Sequence, residues 1–209
     1  MIHPTTKSTF GERLREAGRF HTSHGDVHET VTMLAKDLDD AGIDYAIIGG
    51  MALNAHGYRR ETVNVDVLVR PEGLEEFRSM SVARGYEKTF PAAKKSFRCT
   101  RTNTVVEFIV TGDFPGDGKP KPVAFPDPAQ VKTIVDGVCV VDLPTLINLK
   151  LASGMTQPAR RRDLSDVQDL IRTLGLHSDF SKQLAPFVQA VFETLFDELQ
   201  HSDPHCEEP

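Results

Sequence analysis

Apolar residues at Val27, Val31, Leu34, Ala35 and Leu38 recur at spacings of three and four, the period of one helix face, and Gly42 marks that helix's end. The run Tyr45-Ala46-Ile47-Ile48 then closes on Gly49-Gly50, the pattern of a buried strand meeting a turn. Met51, Ala52, Leu53 and Ala55 predict a short helix ending at Gly57. Residues 63–69, rich in valine, form the clearest strand pattern. Pro71-Glu72 opens a helix to about residue 83, with proline in its first turn and acid at its positive end. Residues 96–100 and 104–110 predict paired strands around Thr102-Asn103, and 132–135 with 138–141 a hairpin across Asp136-Gly137. The stretch 111–128, crowded with glycine and proline, is the main irregular loop. Beyond Asp142 the pattern turns helical, over 143–152, 160–174 and 181–201. Four parts follow: an arm at 1–26 with a short helix near 12–17, a mixed α/β core at 27–142, a helical part at 143–201 and an acidic tail at 202–209.

Composition narrows the class. The 209 residues carry 24 Lys and Arg against 30 Asp and Glu, a net charge of −6, which opposes a general nucleic-acid coat but leaves room for a local basic patch. A 39% hydrophobic share with 26% charged residues is that of a folded chain rather than a disordered one. No apolar run approaches the ~20 residues of a membrane span, and the first eleven residues lack the apolar segment of a secretory signal. Cys99, Cys139 and Cys206 are odd in number and far apart, which excludes a disulfide framework. Cys99 and Cys139 read as buried thiols, and the expected location is cytoplasmic.

The chemistry concentrates in 49–69. Asn64 and Asp66, two apart on a strand, share one face, while Val63, Val65 and Val67 share the other. Gly49-Gly50 between strand and helix allows close approach of a phosphate, although no Gly-Lys-Ser/Thr follows to make a P-loop. Glu107 is the only charge in Val105-Val106-Glu107-Phe108-Ile109-Val110, and a carboxylate on an apolar strand needs a partner. Were its strand beside that of Asp66, their oxygens could converge on a divalent cation. Bland readings stand alongside: Gly49-Gly50 as a tight turn, Asp66 as a loop cap, Glu107 on an exposed strand face with Asp113 as a competing acid.

The ordered set Gly49, Gly50, Ala52, His56, Gly57, Arg60, Thr62, Asn64 and Asp66 resembles the nucleotidyltransferase superfamily of the polymerase-beta type. It is closest to minimal bacterial members of toxin–antitoxin and abortive-infection systems, whose pattern reads GG-x-A-x-x-x-HG-x-x-R-x-T-x-D-x-D. The segments 146–153 and 162–167 resemble the helical motif that follows in such proteins, so the resemblance spans roughly 43–172. It implies an α/β (α+β) nucleotidyltransferase fold, a mixed sheet flanked by helices with a helical C-terminal extension. It implies transfer of a nucleoside monophosphate from an NTP to a hydroxyl of RNA or protein with Mg²⁺ or Mn²⁺, and a cognate partner protein. The implied roles are Asn64, Asp66 and Glu107 as catalytic metal ligands, with Gly49, Gly50, Lys150 and Asp163 on the nucleotide. One departure stands out: the family's first carboxylate is Asn64, which offers a carbonyl oxygen without charge. The same residue favours a non-catalytic relative that binds a nucleotide or a partner.

Other residues carry two readings each. Lys150 either touches the triphosphate with Asp163 orienting it, or pairs with Asp163 to tie two helices; Asp163 and Asp166 share a helical face. Arg160-Arg161-Arg162 is a solvated helix start or a phosphate contact. His56 beside Gly57 reads as a packing or hydrogen-bonding residue rather than a ligand. Lys94, Lys95, Arg98 and Arg101 form a polar strand face or a basic rim.

Overall fold

A computed structural model describes residues 22–202, so the helix expected near 12–17, most of the 1–26 arm and nearly all of the acidic tail lie outside the described residues. Helix α1 (Thr22–Asp40) leads into β1 (Tyr45–Ile48), α2 (Gly49–Ala55), β2 (Asn64–Val69) and α3 (Pro71–Met80). Strands β3 (Tyr86–Lys88), β4 (Ser96–Cys99) and β5 (Val105–Val110) follow, then α4 (Pro128–Val131) and the hairpin β6 (Lys132–Val135) and β7 (Val138–Val141). Helices α5 (Leu143–Thr156), α6 (Arg162–Leu174) and α7 (Pro186–Ser202) complete the described chain. The strands form one seven-stranded sheet in the order β3-β4-β5-β2-β1-β7-β6. β2 runs parallel to β5 and β1 parallel to β7, while the other neighbours are antiparallel. This is the expected mixed sheet flanked by helices, with a helical C-terminal part.

Local chemistry sets the element ends. The Asp142 carboxylate accepts from Thr145 N at 2.8 Å and caps α5, and proline occupies the first turn. Gly175, with φ of 60°, ends α6 in the left-handed conformation. Asp136 and Gly137, with φ of 49° and 83°, turn the β6–β7 hairpin as a primed turn requires.

The differences from the sequence pattern have physical causes. Helix α1 begins at Thr22, five residues before the first periodic apolar residue, because the residues 22–26 that open it are polar or glycine and carry no hydrophobic signal. The helix expected over 181–201 is instead a 3₁₀ segment, Ser178–Gln183, followed by α7. Pro186 disfavours helical backbone at Ala185, whose N–H donates to Asn148 Oδ1 at 2.9 Å. A 3₁₀ turn, Pro158–Arg160, likewise precedes α6. Strand β3 and helix α4 are too short to leave a periodic pattern. Cys99 is buried as expected; Cys139 is only half-buried.

One sheet face is fully covered. Val65 and Val67 pair with Val106 and Phe108, all buried. Against them Phe77 of α3 packs with ring centroids 4.5 Å from Phe108 and 5.2 Å from both Phe97 and Tyr86. The opposite face, alternating with these positions, carries Asn64, Asp66 and Glu107. Because Phe77 joins three aromatic neighbours across β3, β4 and β5, Phe77→Ala should cost about 3–5 kcal/mol in urea-denaturation experiments. A loss under about 1 kcal/mol would show that this cluster does not anchor the sheet.

Candidate functional site

Strand register assembles the site. Asp66 on β2 directly opposes Glu107 on β5, Ser96 on β4 opposes Glu107 from the other side, and Ile48 at the end of β1 opposes Asp66. One row of residues therefore crosses four strands, and Gly49 follows at its end. Asn64 lies two residues before Asp66 and shares its face. Asn64, Asp66 and Glu107 together line a cavity of about 560 Å³, with Arg60, Thr62, Arg160 and Arg162 also in its wall. A second cavity of about 130 Å³ shares Asp66 and Arg160 and is walled by Gly49, Phe125, Leu149, Lys150, Ser153 and Asp163. The two cavities thus meet at Asp66.

Gly49 is required by contact as well as by backbone. Its φ is 65°, and a Cβ there would lie 2.1 Å from Asp66 Oδ2. Gly50 instead packs on Thr62, whose Cβ would stand 2.9 Å from an added Cβ, and it lines neither cavity. Burial pushes the Asp66 carboxyl up to about 6; the Arg160 charge opposes this, Glu107 adds to it, and Lys150 and Asp163 act in the same two senses more weakly.

Lys150 makes the pairing that ties the two helices, and it stands at the cleft. It is buried on α5, its Nζ donates to Asp163 Oδ1 at 2.9 Å and Asp166 Oδ2 at 2.7 Å, and it also lines the smaller cavity. Ser153 Oγ donates to Asp163 Oδ2 at 2.7 Å. Arg60 Nε stands 3.2 Å from Asp166 Oδ1, and Tyr58 OH donates to Asp169 Oδ2 at 2.7 Å. The segment before β2 is thereby held to α5 and α6 by one network of buried charge. Asn54 fixes that segment further, accepting from Arg60 N at 2.7 Å and donating to Arg60 O at 2.9 Å.

The remaining candidates separate. Arg160, Arg161 and Arg162 are exposed, and Arg160 and Arg162 line the cleft. His56 Nε2 donates to the Val141 carbonyl at 2.7 Å, and burial holds its pKa below the usual histidine value. Asp113 pairs with Lys95 at 2.5 Å, Arg101 pairs with Glu29 at 2.7 Å, and Arg98 donates to Asn103; Lys94, Lys95, Arg98 and Arg101 line neither of the two cavities. Sequence reasoning passed over Arg60 as part of a buried network and Ser96 altogether. Arg60 stood inside the motif, whereas a single serine at a strand start gives no periodic signal.

The donor set suits a hard divalent cation: two adjacent carboxylates and, at Asn64, an amide oxygen. Among the described residues no group of three or more His, Cys, Asp or Glu side chains is placed to hold a metal ion. With Asn64 uncharged, the row offers two negative charges. No described helix is long and apolar enough to cross a membrane.

No protein-family model matches the chain, and no curated protein matches it. Solved structures do. The crystal structure of ANT(2'')-Ia in complex with adenylyl-2''-tobramycin aligns with a TM-score of 0.50 at 13% identity, over 81% of this chain and 98% of that one. The solution structure of the antibiotic-resistance factor ANT(2'')-Ia aligns at 0.49 and 14% identity, covering 84% and 97% of the two chains. An antigenic nucleotidyltransferase-like protein from Paracoccidioides brasiliensis gives 0.48 at 18% identity, covering 86% and 89%. At these identities the likeness concerns the fold, which is that of the nucleotidyltransferases.

Two predictions follow from the electrostatics. Folded Asp66 holds its proton more tightly than the unfolded chain does, so ionising it costs stability as pH rises from about 4 to about 6, and the cost persists above that. Asp66→Asn should therefore stabilise the protein at pH 7 by about 3 kcal/mol and have little effect at pH 4, measured by thermal melts without divalent ions. Destabilisation at pH 7 would contradict the burial account. Lys150→Met strands Asp163 and Asp166 without their shared cation, and should cost about 3–5 kcal/mol in urea titrations; a loss below about 1 kcal/mol would rule out the tie between α5 and α6.

Proposed function

We propose that this chain binds a nucleoside triphosphate with Mg²⁺ or Mn²⁺ in the cleft around Asp66. It transfers the nucleoside monophosphate to a hydroxyl of RNA or protein, with activity weakened by Asn64. The observation that carries this reading is the in-register pair Asp66 and Glu107 on adjoining parallel strands, facing a cavity with Asn64. Gly49 leaves the approach to Asp66 free of a side chain, and Arg160 and Lys150 place positive charge where an anionic substrate would lie. ANT(2'')-Ia, which shares the fold, was solved with adenylyl-2''-tobramycin, a nucleotidyl group joined to a second molecule.

Asp66 and Glu107 are the groups that would hold the ion, with the Asn64 carbonyl as an uncharged third donor. A bound divalent ion would offset the phosphate charge and orient the attacking hydroxyl. Lys150 and Arg160 would hold phosphate oxygens, and Asp163, bonded to both Lys150 and Ser153, would fix the ammonium in place. The implied setting is a cytoplasmic two-component system of the toxin–antitoxin type. Asn64 supports a second reading, a nucleotide-binding or partner-binding relative without turnover, because the site lacks one charge at the ligand row.

Restoring that charge separates the two. Asn64→Asp should tighten Mn²⁺ binding about tenfold in calorimetric titrations with a nucleoside triphosphate present. It should also raise transfer of labelled nucleotide into cell RNA or protein above the weak level of the unmodified chain. Vigorous transfer by the unmodified chain, with neither readout changed by Asn64→Asp, would remove residue 64 from the site.

A further inference from the structure

The row through Asp66 and Glu107 extends one strand further. Ser96 opposes Glu107 across β4 and β5, and its hydroxyl donates to Glu107 Oε1 at 2.7 Å. With its own hydrogen directed at Glu107, Ser96 Oγ accepts a hydrogen bond from Thr89 Oγ1, 2.9 Å away. Thr89 is itself held to Ser96 through the backbone, its N–H donating to the Ser96 carbonyl at 3.2 Å. Two hydroxyls on ordered backbone therefore point one way, toward a single oxygen of one carboxylate. Glu107 has three side-chain torsions, and this contact restricts them. Glu107 also lines the cavity that Asp66 and Asn64 share.

We infer that Ser96, backed by Thr89, is a positioning residue that holds Glu107 as a one-oxygen cation ligand and so favours a small octahedral ion over Ca²⁺. The inference rests on the cation-binding reading above. Mg²⁺ requires near-octahedral ligands at about 2.0–2.1 Å and takes carboxylates through one oxygen, whereas Ca²⁺ at about 2.3–2.6 Å readily takes both. A hydroxyl on Oε1 takes one of that oxygen's two acceptor positions and sets the rotation of the carboxylate, so two-oxygen ligation has to compete with it. Groups that orient metal ligands from behind commonly change affinity by about 10–100-fold when removed.

The test is titration of Mn²⁺, Mg²⁺ and Ca²⁺, each as the metal alone, into the full chain and its Ser96→Ala, Ser96→Thr, Thr89→Val and Glu107→Gln variants, with urea melts as a control on folding. Ser96→Ala should weaken Mn²⁺ and Mg²⁺ about tenfold while leaving Ca²⁺ little changed, so the Mg²⁺-to-Ca²⁺ preference narrows. Ser96→Thr should restore both affinity and preference, and Thr89→Val should lower Mn²⁺ affinity about two- to threefold. The Thr89 variant stands in for Ser96→Ala should the latter not fold. Weaker Mn²⁺ binding in Glu107→Gln, with none in Ser96→Ala or Thr89→Val, would overturn this inference and leave the cation site standing. Mn²⁺ binding absent from the unmodified chain, or unaffected by Glu107→Gln, would overturn the cation reading and this inference with it.

Discussion

The structure of the site depends on one pairing: Asp66 and Glu107 stand side by side on parallel strands. Like charges placed opposite each other in a sheet repel, and burial of Asp66 adds the loss of water. A fold built only for stability would place an apolar pair there, as it does one residue on, at Val67 and Phe108. The surroundings are arranged to tolerate the cost. Gly49 keeps the space beside Asp66 Oδ2 clear, Ser96 hydrogen-bonds Glu107, and Arg160 brings positive charge toward Asp66.

A second set of charged contacts ties the helical part to the segment that leads into β2. Arg60 and Tyr58, just before β2, reach Asp166 and Asp169 on α6, while Lys150 on α5 bridges Asp163 and Asp166. Gly154 on α5 is close-packed as well, since an added Cβ would lie 2.6 Å from Leu164 of α6. The second wall of the cleft is therefore fixed relative to the sheet by buried ion pairs and by close helix contact. Such pairs add little net stability over apolar packing, but losing one partner is costly, which suits them to setting a fixed geometry.

Much of this was legible along the chain. The i, i+2 spacing of Asn64 and Asp66 placed them on one face, and a lone glutamate in an apolar strand drew attention to Glu107. Lys150, Asp163 and Asp166 were recognisable as charges on apolar-faced helices. What the chain could not reveal was register: that Glu107 meets Asp66 rather than a neighbour two residues away is decided by long-range pairing of β2 with β5. Ser96 was invisible for the same reason, because its meaning comes from the residue opposite. Helix starts at Thr22 and Pro186 differed from expectation where a polar opening sequence and a proline, not hydrophobic period, set the boundary.

The most direct measurement is a crystal structure of the protein grown with Mn²⁺ and a non-hydrolysable nucleoside triphosphate, with the ion located by its anomalous scattering. The account predicts Mn²⁺ bound by Asp66 and by one oxygen of Glu107, with the triphosphate between Gly49, Lys150 and Arg160. Mn²⁺ or nucleotide bound elsewhere on the protein, with the Asp66–Glu107 row free of both, would contradict it.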